Sequence, residues 1–233
     1  MTDSMVLEKS LPAVDQRKRP CVKIVACAPK GGVGKTTMIR ALLVAARQAG
    51  LDCIGINMDR QETLHRWARR RFDVRATFPD LVNVEVVQRN IDDFRAVMRN
   101  DTSIHDLAVI DTPPGHDAYA SAIASLCQLA DLIIIPTTPS MDDLFEVIPF
   151  GQKVAQGKGV FILNMVNRQT LSLRDARQML VRAGDLCPVE VGRYDPVAQA
   201  LARGLTVLDD PSRPNGTADF EAVWEFVRRR VNL

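Results

Sequence analysis

A chain of 233 residues with a 46% hydrophobic composition suits one α/β domain with a substantial core, while a formal net charge of +2 excludes a nucleic-acid role resting on global basicity. Five cysteines without a CxxC pair or metal-ligand spacing exclude a thiolate metal centre and predict buried free thiols in a reducing cytosol. No apolar run reaches the roughly 18 residues that a membrane-spanning helix needs, so a membrane partner is not expected.

Residues 1–20 contain Glu8, Asp15 and the run Arg17-Lys18-Arg19 without an apolar stretch, and are expected to be a flexible tail ahead of one domain over 21–233. Val22 to Cys27 is a short apolar strand, and Thr37 to Gln48 a helix carrying Met38, Ile39, Leu42, Leu43 and Ala46. Between them stands Lys30-Gly31-Gly32-Val33-Gly34-Lys35-Thr36-Thr37, a phosphate-binding loop in the strand-loop-helix setting it requires. Glycines 31, 32 and 34 let backbone N–H groups turn inward, and the helix N-terminus adds positive partial charge. Lys35 is the expected contact to the outer phosphates, Thr36 to Mg²⁺, and Val33 and Thr37 line the same cradle. With Lys30 in front, the loop resembles the deviant Walker A motif of the ParA/MinD family of P-loop ATPases. In that family the first lysine reaches the nucleotide of the other subunit, so the resemblance implies that Lys30 acts in trans, as an arginine finger does. A solvated surface lysine is the alternative.

Gly50 stops the first helix and Cys53 to Asn57 forms a second strand. The following Asn57-Met58-Asp59-Arg60-Gln61 resembles a divergent Asp-x-Asp-Pro-Gln segment of the family. The resemblance assigns Asp59 to orienting the attacking water; Asn57 and Arg60 depart from the pattern. By itself Asp59 is also a plausible helix cap, and both roles can hold together. A helix over Gln61 to Phe72 carries Leu64, Trp67 and Ala68 toward the core with Arg66, Arg69, Arg70 and Arg71 beside them. These arginines either face DNA or complement the helix dipole. Val82 to Val87 alternates as a strand and Ile91 to Met98 is a helix.

Leu107 to Ile110 then delivers Asp111 at a strand end, as a Walker B carboxylate must be delivered, and Asp111 is the expected metal-site carboxylate, acting through a Mg²⁺-bound water. The ending Asp111-Thr112-Pro113-Pro114-Gly115 again resembles the family. Ala118 to Leu129 is a helix, Asp131 to Pro136 an apolar strand, Leu144 to Ala155 a helix that Pro149 should kink or shorten, and Gly159 to Asn164 a strand. In Asn164-Met165-Val166-Asn167-Arg168, the resemblance implies proximity to adenine. Asn167 is the candidate for the base edge, with a turn-forming role equally open. The helix Leu171 to Ala183 carries Arg174, Arg177 and Arg182 on one arc. With Arg168, Arg193 and Arg203 they form a candidate phosphate-contacting patch, against which stands an ordinary solvated helix. Val189 to Val191 is a last strand, Pro196 to Ala202 a short helix, and Ala218 to Val231 an amphipathic helix more suited to docking on the core than to a membrane surface.

The alternation of elements argues a doubly wound, mostly parallel sheet with helices on both faces. The resemblance, strongest at the two phosphate-site motifs, implies an ATP-sandwich homodimer. That dimer binds DNA non-specifically and leaves it after hydrolysis, in plasmid or chromosome partition on the nucleoid, stimulated by a ParB-like or other activating protein. A positioning ATPase for a protein cargo, a VirC-type conjugation protein and a non-hydrolysing nucleotide switch share these motifs and remain open.

Overall fold

The computed structural model describes residues 20–100, 102–114 and 119–233. The expected tail, apart from Pro20, and Gly115 of the second motif lie outside the described residues. The elements run β1 (Val22–Ala26), α1 (Lys35–Gln48), β2 (Cys53–Asn57), α2 (Thr63–Arg75), β3 (Glu85–Gln88), α3 (Phe94–Asn100) and β4 (Leu107–Asp111). They continue with α4 (Ala120–Leu129), β5 (Leu132–Thr137), α5 (Met141–Val154), β6 (Gly159–Leu163), α6 (Leu171–Ala183), α7 (Asp195–Ala202) and α8 (Thr217–Arg230). Short 3-10 turns at Ile91–Asp93 and Val207–Asp209 complete the set.

All five strand pairings are parallel, in the order β3-β2-β4-β1-β5-β6. The apolar runs are continuous because the central strands are buried on both faces, and within each run alternate side chains serve opposite layers. Val25, Ile110, Ile133 and Phe161 face α3, α4, α5 and α6. Ile24, Val109, Ile134 and Ile162 face α1, α2 and α8. The doubly wound expectation therefore holds, and the strand order reverses beside β1, where ligands bind in such sheets.

Some expected elements differ. The segment Val189–Val191 is not a strand: only Leu186 and Gly192 form isolated parallel bridges, to Phe161 and Val166. Pro188 stands between these two points and offers no N–H for a continuous ladder. The third strand begins at Glu85, and residues 91–98 divide into a 3-10 turn capped by the Asn90 side chain and α3. The helix α5 continues through Pro149, whose exposed position leaves the unbonded carbonyl of the preceding turn on the solvent side. Arg71 is not part of an exposed arginine row. It is 1% exposed, donates to both Asp209 carboxylate oxygens at 2.8 and 2.7 Å, and ties α2 to the Val207–Asp209 turn. On α8 the apolar side chains Phe220, Val223, Trp224 and Val227 are buried against the α1 layer, as docking requires. All five cysteines are buried and free. Among the described residues no helix is long and apolar enough to cross a membrane.

Candidate functional site

The chain leaves β1 at the C-terminal edge of the sheet and turns into α1 through two left-handed glycines, Gly32 at φ +79° and Gly34 at φ +94°. Gly34 is required twice over: its φ suits no other residue well, and a Cβ there would lie 2.0 Å from Nδ2 of Asn164. The first turn of α1 contains no acidic side chain, so the helix end presents its N–H groups and positive partial charge without internal neutralisation. The cleft in front of it, of about 350 Å³, is lined by Gly31, Gly32, Gly34, Lys35, Thr36 and Thr37 together with Asp59, Gln61, Thr63, Pro114 and Met165.

Parallel pairing brings Ala26, Asn57 and Asp111 side by side at the strand ends. The Thr36 hydroxyl donates to Oδ2 of Asp111 at 2.7 Å, while Oδ1 of Asp111 is buried without a hydrogen-bond partner among the described residues. Burial pushes the Asp111 carboxyl up to about 6, against the lowering effects of the Thr36 bond and the Lys35 charge. A hydroxyl and an unmet carboxylate oxygen are the hard donors that Mg²⁺ prefers, so these residues fit a magnesium site. Lys35 is 7% exposed; burial lowers its pKa, and its Nζ donates to the Lys30 carbonyl at 3.3 Å inside the loop.

Asp59 faces the same cleft. Its Oδ1 accepts from the Gln61 N–H at 2.9 Å, a turn contact ahead of the helix; the N-cap of α2 is Glu62, so Asp59 does not cap it, and its carboxylate lines the site. The two departures from the family pattern have structural uses. Asn57 spends its amide on the Asp59 carbonyl (2.9 Å) and Gln88 Oε1 (2.5 Å), donor bonds no carboxylate could make. The Arg60 guanidinium stacks on the Tyr119 ring at 5.8 Å.

Lys30 points along the rim to the first turns of α5, where its Nζ meets the Asp142 carbonyl (3.0 Å), Asp143 (3.3 Å) and Glu146 (3.1 Å). The hydrogen bond to Glu146 is the chief cause holding its pKa above the ordinary lysine value.

Asn167 lies in an exposed turn, its side-chain oxygen accepting from Gln169 N–H and its carbonyl from the Thr170 hydroxyl. Asn164 instead reaches the loop, donating to the Val33 carbonyl at 2.8 Å. It also lines a cleft of about 250 Å³ beside Thr37, with Met165, Tyr194, Asp195 and Leu201. Sequence reasoning passed over Asn164, although it is the first polar residue after an apolar parallel strand, as Asp111 and Asn57 are. Of the arginine patch, Arg168 is held by Tyr194 Oη, the Glu190 carbonyl and Asp219, and Arg177 by Glu190. Arg174, Arg182, Arg193 and Arg203 are exposed and form no ion pair among the described residues.

The sequence pattern of the CobQ/CobB/MinD/ParA nucleotide binding domain matches residues 24–207. Maintenance of carboxysome distribution protein A of Gloeobacter kilaueensis is 28% identical over 207 residues, which cover 86% of this chain and 91% of that protein. Among solved structures, the septum site-determining protein MinD of Pyrococcus horikoshii with Mg-ADP matches at TM-score 0.70 and 17% identity, over 89% of this chain and 96% of that one. A McdA variant of Cyanothece in complex with ATP matches at TM-score 0.69 and 15% identity, over 91% and 97%. Both structural likenesses are of fold. The matched pattern spans the sheet from β1 to β6 and includes Lys35, Thr36, Asp59 and Asp111, and the chain therefore belongs to the CobQ/CobB/MinD/ParA family of nucleotide-binding domains.

Proposed function

We propose that this protein is a ParA-type ATPase that binds Mg-ATP, pairs with a second copy across the nucleotide face, holds DNA non-specifically while paired, and releases it on hydrolysis. The observation that carries the reading is the convergence of Lys35, Thr36 and Asp59 on one glycine-lined cleft at a helix N-terminus, with the half-bonded Asp111 tied to it through the Thr36 hydroxyl. When bound, magnesium would supply charge neutralisation at the phosphates. Thr36 and Asp111 would hold the ion, the backbone donors of Gly31 to Thr37 and the Lys35 ammonium would hold the phosphate oxygens, and Asp59 would orient the attacking water. Asn164, together with Met165 and Tyr194, takes the base in the neighbouring cleft, in preference to Asn167. Lys30 exchanges its carboxylate partners on α5 for the nucleotide of the second copy. Exposed Met141 and Phe145 on α5 and Leu171 on α6 begin their helices at this same sheet edge and give the pairing face apolar area. The unpaired Arg174, Arg182 and Arg203 are the first DNA contacts to examine, Arg168 and Arg177 being already engaged.

The cargo is either a DNA molecule marked by a ParB-like protein or a protein assembly; the relative named for carboxysome distribution favours the second. The test is phosphate release together with anisotropy of a random-sequence duplex in Mg-ATP, Mg-ADP and no nucleotide, for wild type, Lys30→Ala and Asp59→Ala. Expected are ATP-dependent DNA binding that weakens with salt and is lost in Lys30→Ala, and phosphate release strongly reduced in Asp59→Ala. Phosphate release equal in wild type and Asp59→Ala overturns the hydrolytic part, and nucleotide-independent or absent DNA binding overturns the rest.

A further inference from the structure

The helix that begins with Lys35 and Thr36 carries a cation in its apolar interior. Arg40 lies one turn beyond Thr36, within a run from Met38 to Val44 that is buried throughout, and is itself 5% exposed. A buried guanidinium is costly unless its donors are met, and an aliphatic side chain would fill the same space without that cost. Here Nη2 donates to the Thr63 carbonyl at 2.8 Å, the group lies over the Trp67 ring at 5.7 Å, and Nε is buried without a partner among the described residues. Packing alone does not account for such a residue.

Thr63 opens α2 directly after the turn that carries Asp59. That turn ends on Glu62, a non-glycine residue in the left-handed region at φ +53°, a conformation its neighbours must enforce. At its beginning, Asn57 from β2 and Gln88 from β3 both donate to the Asp59 carbonyl, at 2.9 and 3.2 Å. At its end, Arg40 from α1 takes the Thr63 carbonyl. We propose that Arg40 is a positioning residue for Asp59, fastening the turn to the helix that presents Lys35 and Thr36 so that all three keep one mutual geometry. This rests on the reading of Asp59 as the water-orienting group.

The test uses the full chain and Arg40→Met, with three readouts: ATP turnover, affinity for a fluorescent ATP analogue, and amide hydrogen exchange over residues 58–66. Expected are turnover lowered at least tenfold, affinity within twofold of wild type, faster exchange in Gln61 to Arg66, and an Asp59→Ala, Arg40→Met pair no slower than Asp59→Ala alone. A merely structural role would instead lower affinity in step with turnover, or add to the Asp59→Ala loss, and either outcome overturns the proposal. Unchanged turnover or unchanged exchange also overturns it. If Arg40→Met does not fold, Arg40→Lys, which keeps the charge but loses the fork, decides by the same readouts with at least a threefold loss of turnover expected. A wild-type protein without ATP turnover would refute the functional reading; hydrogen exchange would still decide whether Arg40 holds the turn.

Discussion

Asp111 stands in the folded chain with more negative charge than its surroundings balance. Its carboxyl, ordinarily near 3.8, is pushed up to about 6 chiefly by burial. Because the folded value lies above the unfolded one, stability from this group is complete below about pH 4 and is lost as pH rises through about 6. Asp111→Asn is accordingly expected to stabilise the metal-free protein at pH 7.5 by on the order of 1 to 3 kcal/mol, the gain vanishing toward pH 4. Urea unfolding of both proteins across that range checks it, and added Mg²⁺ with nucleotide should stabilise only the wild type. Lys35, Thr36 and Asp111 were legible in the sequence because fixed spacing and a strand end define them locally. Arg40 and Asn164 were not, since their partners Thr63 and Val33 are distant in the chain, and an arginine or asparagine next to an apolar run has many ordinary uses. A charged residue inside a wholly apolar helical run was the available signal for Arg40.

Elements are joined here by polar locks as well as by the two apolar layers. The Arg71–Asp209 pair, both side chains 1% exposed, binds α2 to the turn ahead of α8. The backbone of α2 approaches Gly204 closely enough that a Cβ there would sit 2.6 Å from the Arg71 nitrogen. Removing one partner of a buried pair strands the other charge, so Arg71→Met is expected to cost about 3 to 5 kcal/mol, with Asp209→Asn in the same chain restoring part of the loss. Equilibrium urea unfolding of the single and double variants measures this, and additivity of the two changes would contradict it. At this scale the apolar parallel strands and their order of alternation with helices were readable, because burial on both faces leaves a continuous apolar run. The failure at Val189–Val191 has a plain cause. Short β-branched runs fit an edge segment equally well, and only the partner strand decides whether a ladder forms around Pro188. Arg71 was misjudged because four neighbouring arginines look alike in sequence, while helical phase turns just one of them inward.

On the scale of the whole molecule, Lys30 is the residue whose present partners differ most from its proposed ones. Held by Asp143 and Glu146 in its own chain, it must leave α5 before it can serve a second copy. Glu146→Gln is therefore expected to form the ATP-dependent dimer at severalfold lower protein concentration, and Lys30→Ala to remain monomeric. Sedimentation velocity in Mg-ATP and Mg-ADP checks both, and identical behaviour of wild type and Glu146→Gln would remove the cis contact from the account. The family was legible from two motifs, whereas the proposed cargo was not, because a surface that would choose one shares no fixed spacing. The sheet order carries one more consequence. The strand that leads into the phosphate loop is central, and its two neighbours, starting at Leu107 and Leu132, come late in the chain. No hairpin can shelter it meanwhile, since parallel neighbours are joined only by long crossover connections. During synthesis the loop is therefore flanked on both sides only after β4 and β5 have been made and folded back beside β1, so a chain ending before Leu132 leaves one side of that strand open.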